Sequence, residues 1–166
     1  MSHSDRLTTI LSGVAGQFFV AAELSRRGFI ATLTLRNTRG VDLPVASANA
    51  SMSVGVQVKT NQGEGKVWLL DKKAEESATE NLLYVFVNLN RVTGTPTFGT
   101  PTFHVVRSQI VANYSSKRHR DWLAGTPVRA AVRKDSSMRK FEDSKNEYLG
   151  KWGVLDSLLS PAKTSK

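Results

Sequence analysis

A chain of 166 residues with 40% apolar composition has the material for one ordinary core and not for two. It holds no cysteine, which excludes disulfides, thiolate metal sites and cysteine nucleophiles, and its three histidines (His3, His104, His119) form no pair at metal-ligand spacing. The formal net charge of +9 favours a polyanionic partner, with a merely solubilising basic surface as an equally common alternative. That charge is uneven: residues 117–166 carry 12 Lys and Arg against 6 acids, and residues 67–116 carry 4 against 4. No apolar run reaches the length of a membrane span, and the start, "MSHSD", has no basic region followed by an apolar one, so a soluble, cytoplasmic protein with no membrane partner is expected.

In chain order, residues 7–27 space Ile10, Leu11, Val14, Phe18, Ala21, Ala22 and Leu24 at threes and fours, the period of an amphipathic helix ended by Arg26-Arg27-Gly28. Gly13 and Gly16 lie inside it and read as close-packing positions, since no strand or Gly-Lys-Ser step marks a phosphate loop. "FIATLTLR" reads as a strand, Val41–Val45 as a short one, residues 46–51 as a loop and Val54–Thr60 as another strand. Val67–Leu70 offers one more strand, and "DKKAEESATE" a surface turn or short helix. "LLYVFVNL" (82–89) is continuously apolar, the pattern of a strand covered on both faces. A Gly/Pro/Thr loop and the strand "FHVV" follow, then short helices at 107–113 and 117–124 and a helical stripe through Leu149, Trp152, Leu155, Leu158 and Leu159. The order helix, strands, helices predicts an α/β or α+β layer fold in one domain over residues 1–160, with 161–166 as a disordered tail.

Side chains alternate along a strand, so Gln57 and Lys59 share one face while Val56 and Val58 take the other. If residues 41–45 and 54–60 pair as a hairpin, Asp42 comes beside them. One carboxylate, one amide oxygen and one ammonium then converge, a set suited to phosphodiester chemistry: the oxygens, with a backbone carbonyl, hold a hard dication, and the ammonium steadies developing charge. An aspartate near a turn and a solvent-facing Gln-x-Lys also arise by chance in many sheets, which is the commoner reading of these residues taken alone.

Taken with the elements around it, the stretch gains weight. The helix "GVAGQFFVAAELSRRG", a strand, "RGVDLPV" and then "VGVQVKT" resembles the catalytic core of the PD-(D/E)XK, or restriction-endonuclease-like, nuclease superfamily in its Gln-x-Lys variant, over roughly residues 10–90. The resemblance implies a mixed central β-sheet flanked by helices and magnesium-dependent (or manganese-dependent) cleavage of DNA, less often RNA. It implies Asp42, Gln57 and Lys59 as catalytic residues, with Asp42, Gln57 and the Val58 carbonyl as metal ligands. Pro44 follows the aspartate instead of preceding it. Gln17 stands where many members carry a first-helix glutamate, so Asp42 is the one carboxylate clearly in the set, and the metal is expected to bind weakly.

Thr60 and the acid Glu64, in the turn after the strand, are further candidates for support, each with an ordinary structural role as its alternative. Glu23, six residues beyond Gln17, reads as a surface acid. Lys117, Arg118 and Arg120 are candidate phosphate contacts on a helix face, and His104 and the three tryptophans read as core residues. A nuclease-like domain that binds nucleic acid or a partner protein without cleaving is the alternative function, and homodimerisation is kept as an option.

Overall fold

The computed structural model describes residues 7–34, 40–95, 97–125 and 133–159. Helix α1 (Thr9–Ser25) leads into β1 (Ile30–Ala31), β2 (Leu43–Ala46), β3 (Ser53–Asn61) and β4 (Val67–Asp71), and a 3-10 turn over Lys72–Glu75 precedes β5 (Leu82–Asn88). Then come β6 (Thr102–Arg107), α2 (Ser108–Ala124), β7 (Met138–Glu142) and α3 (Gly153–Leu159). Five strands form one mixed sheet in the order β1-β2-β3-β5-β6, in which only the β3–β5 pair is parallel, and β4 and β7 form a separate antiparallel ribbon.

The sheet is covered on both faces, and the burial of every residue of β5 follows from that. Leu83, Val85 and Val87 face Val20 and Leu24 of α1 and Leu155 and Leu159 of α3, together with Val54, Val56 and Val58. Tyr84 and Phe86 face the ribbon and α2, where Trp68, Leu70, Phe141 and Val111 close a second cluster and Phe86 stacks on Phe141 at 4.5 Å. Among the described residues no helix is long and apolar enough to cross a membrane.

Helix α1 is capped by Thr8, whose hydroxyl accepts from Leu11 N (3.2 Å), and the chain reverses at Gly28, where φ is +88°. Its buried face is not the expected one. Ser12, Gly16, Val20 and Leu24 point inward at four-residue steps, while Ile10, Leu11, Val14 and Phe18 are exposed. Gly16 explains the choice: a Cβ there would lie 1.9 Å from Thr60 Oγ1, so the helix rides against β3 on its smallest residue.

Other boundaries move for identifiable reasons. The strand expected over "FIATLTLR" shortens to two residues, although Thr32 and Thr34 still donate backbone N–H groups to Pro44 and Asp42 (3.1 and 3.0 Å). The two short helices are one, α2, because Ser115 turns its hydroxyl back onto Ala112 O (3.2 Å) instead of breaking the helix. Strand β7 was not expected: Arg139 occupies a buried position, which hides the alternation, and is held there by an ion pair with Glu75. The helical stripe from 146 begins only at Gly153, since Asn146 and Gly150 take positive φ (56° and 64°) in the turn before it. The tail at 161–166 lies outside the described residues.

Candidate active site

The expected hairpin exists: β2 and β3 pair antiparallel with Leu43 opposite Val56 and Val45 opposite Val54. The ladder continues one residue beyond β2, where Asp42 N donates to Val56 O (2.9 Å). There the side chain takes over. Val58 N donates to Asp42 Oδ2 at 2.7 Å, so the carboxylate occupies the place of the next strand carbonyl. On its other flank Thr34 donates both its backbone N–H and its hydroxyl to Asp42 O (3.0 and 3.2 Å). Asp42 is therefore fixed to the peptide step between Gln57 and Lys59.

Alternation along β3 does the rest. Val54, Val56 and Val58 are buried against α1, and Gln57 and Lys59 stand half-buried on the opposite face. Both line a cavity of about 400 Å³ bounded by Gly40, by Tyr84 of the neighbouring parallel strand, and by Asp71, Lys73 and Glu76 of the ribbon end and the turn that follows it. Gln17 reaches Asp42 from α1 and donates Nε2–H to its Oδ1 at 3.0 Å; neither residue lines the cavity. Helix and hairpin thus bring together four residues separated by up to 42 positions in the chain.

Tyr84 is the site residue that a strand-by-strand reading passes over. It pairs in register with Gln57, and burial followed by the nearby Asp42 carboxylate pushes its hydroxyl up to about 12. The phenol therefore keeps its proton at any physiological pH and is a permanent hydrogen-bond donor at the cavity wall. Its signal in the sequence is slight: one hydroxyl in an otherwise apolar run. Asp71 caps the 3-10 turn by accepting from Lys73 N (3.0 Å), and only the crossover between β3 and β5 places it opposite Lys59.

The supporting candidates separate. Thr60 faces away from the cavity, against Gly16, with its hydroxyl buried and without a hydrogen-bond partner among the described residues. Glu64 is exposed in the turn after β3 and does not line the cavity. Glu23 pairs with Arg26 and Arg27 on the surface of α1. Lys117, Arg118 and Arg120 lie on α2 and do not line the cavity either; Lys117 pairs with Asp121 (2.7 Å), and Arg118 with Glu142 and Tyr114. His104 is buried against Trp68 and bonded to Asp143 (2.6 Å). Trp68 and Trp152 are core residues, whereas Trp122, expected in the core, is 45% exposed because α2 presents that side to solvent beyond the ribbon.

As for a metal, among the described residues no group of three or more His, Asp and Glu side chains is placed to hold an ion. The oxygen donors that line the cavity include the Gln57 amide and the Asp71 and Glu76 carboxylates, and the Asp42 carboxylate is held on the Val58 N–H next to Gln57. Each Asp42 oxygen already accepts one N–H and keeps a second lone pair. Magnesium retains much of its water and is often bound by one or two carboxylates plus substrate phosphates, and this donor set meets that minimum.

No family model matches the chain, and no curated protein matches it. Among solved structures, the chain is similar to the bacterial homing endonuclease I-Ssp6803I, with a TM-score of 0.51 at 16% identity over 90% of this chain and 92% of that one. The fold is restriction-endonuclease-like. A fainter likeness, with a TM-score of 0.43 at 11% identity over 80% of this chain and 84% of the other, is to Hjc, a Holliday junction resolvase from the archaeal hyperthermophile Archaeoglobus fulgidus.

Proposed function

We propose that this chain is a metal-dependent nuclease of the PD-(D/E)XK superfamily in its Gln-x-Lys variant, hydrolysing phosphodiesters of DNA in preference to RNA. The observation that carries the reading is the anchoring of Asp42 on the Val58 N–H, between Gln57 and Lys59, both of which line a cavity.

In this reading Lys59 places its ammonium against the scissile phosphate and offsets the charge that builds on its oxygens. Tyr84, which keeps its proton, donates to a phosphate oxygen or to the attacking water. Gln17 holds the Asp42 carboxylate in one orientation through its amide N–H. Asp42, the Gln57 amide oxygen and the Val58 carbonyl would hold Mg²⁺ or Mn²⁺, which supplies a more acidic bound water and a polarised phosphoryl group. With Asp42 as the single carboxylate of that ligand set, the free protein would hold the cation weakly, and the substrate phosphate would complete the site. The cluster of Lys and Arg in the last third of the chain draws in the polyanion.

A second reading, binding of nucleic acid without cleavage, is favoured by one observation: both acidic positions other than Asp42 are amides, and no three-acid cluster exists among the described residues. The two readings part on chelation. Incubation of the purified chain with linear, nicked and branched DNA in Mg²⁺ or Mn²⁺ yields shortened products that EDTA abolishes if it cleaves. Salt-dependent binding indifferent to EDTA and to Asp42→Asn, with every substrate intact, selects the second.

A further inference from the structure

A second concavity, of about 200 Å³, opens on the other side of the ribbon between α2 and β7, lined by Arg118, His119, Trp122, Met138, Arg139 and Lys140 among others. Its floor combines a large aromatic surface with a thioether: Trp122 is 45% exposed and Met138 51%, whereas Trp68 and Trp152 are 1% and 8% exposed. The Trp122 ring is already held as a platform. His119 stacks against it at 5.6 Å with an interplanar angle of 26°, and the Arg133 guanidinium lies 5.3 Å from its centre.

Cations surround this surface. Arg139 is almost wholly buried and fixed by Glu75 and the carbonyls of Ser136 and Met138, so its charge cannot swing away. Lys140 is exposed and makes no ion pair among the described residues. The acids nearby, Glu75, Glu142 and Asp135, are each engaged with Arg139, Arg118 and His119, so none lines the concavity as a free repulsive charge.

An exposed indole with cations at its rim suits a planar π-system that carries negative charge. A nucleotide offers both, provided its base is unstacked from a duplex. The position is also apt: across the ribbon Met138 and Arg139 pair with Asp71 and Leu70, which line the Gln57–Lys59 cavity, so the two concavities share one ribbon end. We infer that the Trp122 concavity is a binding site for an unpaired nucleotide, its base stacked on the Trp122 platform and its phosphate met by Lys140. The inference rests on the nucleic-acid part of the proposed function and not on cleavage.

The test titrates the full chain, in EDTA so that no strand is cut, with a single-stranded oligothymidylate, an abasic oligonucleotide of the same length and a blunt duplex. Trp122 is the most exposed of the three tryptophans, so stacking reports directly as quenching of the indole emission. Oligothymidylate is expected to quench, and Trp122→Ala to remove the quenching and weaken binding roughly 5- to 150-fold, the equivalent of ~1–3 kcal/mol for one stacked base. Trp122→Phe, which keeps a π-face, retains most of the affinity, and the abasic strand binds the wild type and Trp122→Ala alike. Equal affinity of Trp122→Ala and wild type for oligothymidylate overturns the inference, and so does a duplex that quenches as strongly as the single strand. Cleavage in the Mg²⁺ or Mn²⁺ assay without quenching in EDTA sinks this site alone, and quenching in EDTA with every substrate intact in the metal assay sinks the nuclease reading alone.

Discussion

Asp42 and Asp143 are both carboxylates anchored by backbone N–H groups, and the contrast between them separates a site from a structural knot. Asp143 is 3% exposed and accepts from Glu147 N (2.7 Å), Tyr148 N (3.0 Å) and the His104 ring (2.6 Å). Burial acts to raise its pKa, but those hydrogen bonds outweigh it and hold the carboxyl below its ordinary range. Burial also lowers the pKa of His104, whose second ring nitrogen has no partner among the described residues. The pair ties the turn before α3 to β6 and lines neither the Gln57–Lys59 cavity nor the Trp122 concavity. Asp42 uses one backbone N–H and one amide, stays half-buried, and is tied to Val58, whose neighbours in the strand, Gln57 and Lys59, line open space. A histidine beside a buried aspartate looks more like an active site on paper, yet the plainer acid is the one anchored between two cavity-lining residues.

The contrast breaks most visibly through substitution of each aspartate. Asp42→Asn preserves the shape and an acceptor for Val58 N–H but removes the charge, and is expected to lower the cleavage rate by roughly 10²–10³-fold with little change in melting temperature. Rate assays beside thermal melts check this. Asp143→Ala does the reverse: it strands His104 and two backbone N–H groups in the core and costs about 3 kcal/mol of stability by denaturant titration, while the folded fraction still cleaves. If Asp143→Ala abolished cleavage in protein that melts like the wild type, the assignment of the two acids would be exchanged.

A smaller effect tests how Gln17 is delivered to Asp42. Gly16→Ala pushes a methyl into Thr60 and should destabilise by ~1–3 kcal/mol, partly restored in the double variant with Thr60→Ala. Additive losses in the double variant would mean that the helix does not seat on that contact.

The smallest effect is a pH dependence. Because the His104 pKa is lower folded than unfolded, the stability it contributes is present above the ordinary histidine value of 6.5 and is lost as pH falls through the folded value. Asp143, also lowered on folding, adds a second loss as pH falls below its ordinary 3.8. Melting temperature should therefore drop on acidification from near neutrality, and His104→Asn should flatten the first part of that drop.

Which parts were legible in the sequence follows from what each depends on. The β2–β3 hairpin and the shared face of Gln57 and Lys59 follow from local alternation and a short loop, and they appear in the structure as expected. The buried face of α1 did not, because apolar spacing cannot tell which stripe a helix seats when its closest contact is a glycine. Strand β7 was hidden by Arg139, whose burial depends on Glu75, 64 positions away. Trp122 was misplaced for a related reason: a tryptophan among apolar neighbours reads as core unless the end of the helix is known to overhang its ribbon. Tyr84 and Asp71 reach the cavity through a crossover that no local pattern announces.

The most direct test of the central assignment is cleavage of DNA by the wild type and by Lys59→Ala, measured side by side in Mn²⁺ with binding followed in the same samples. The wild type should cut, and Lys59→Ala should bind without cutting and melt like the wild type. A wild type inert on every DNA and RNA form, or a Lys59→Ala variant that cuts at the wild-type rate, would contradict it.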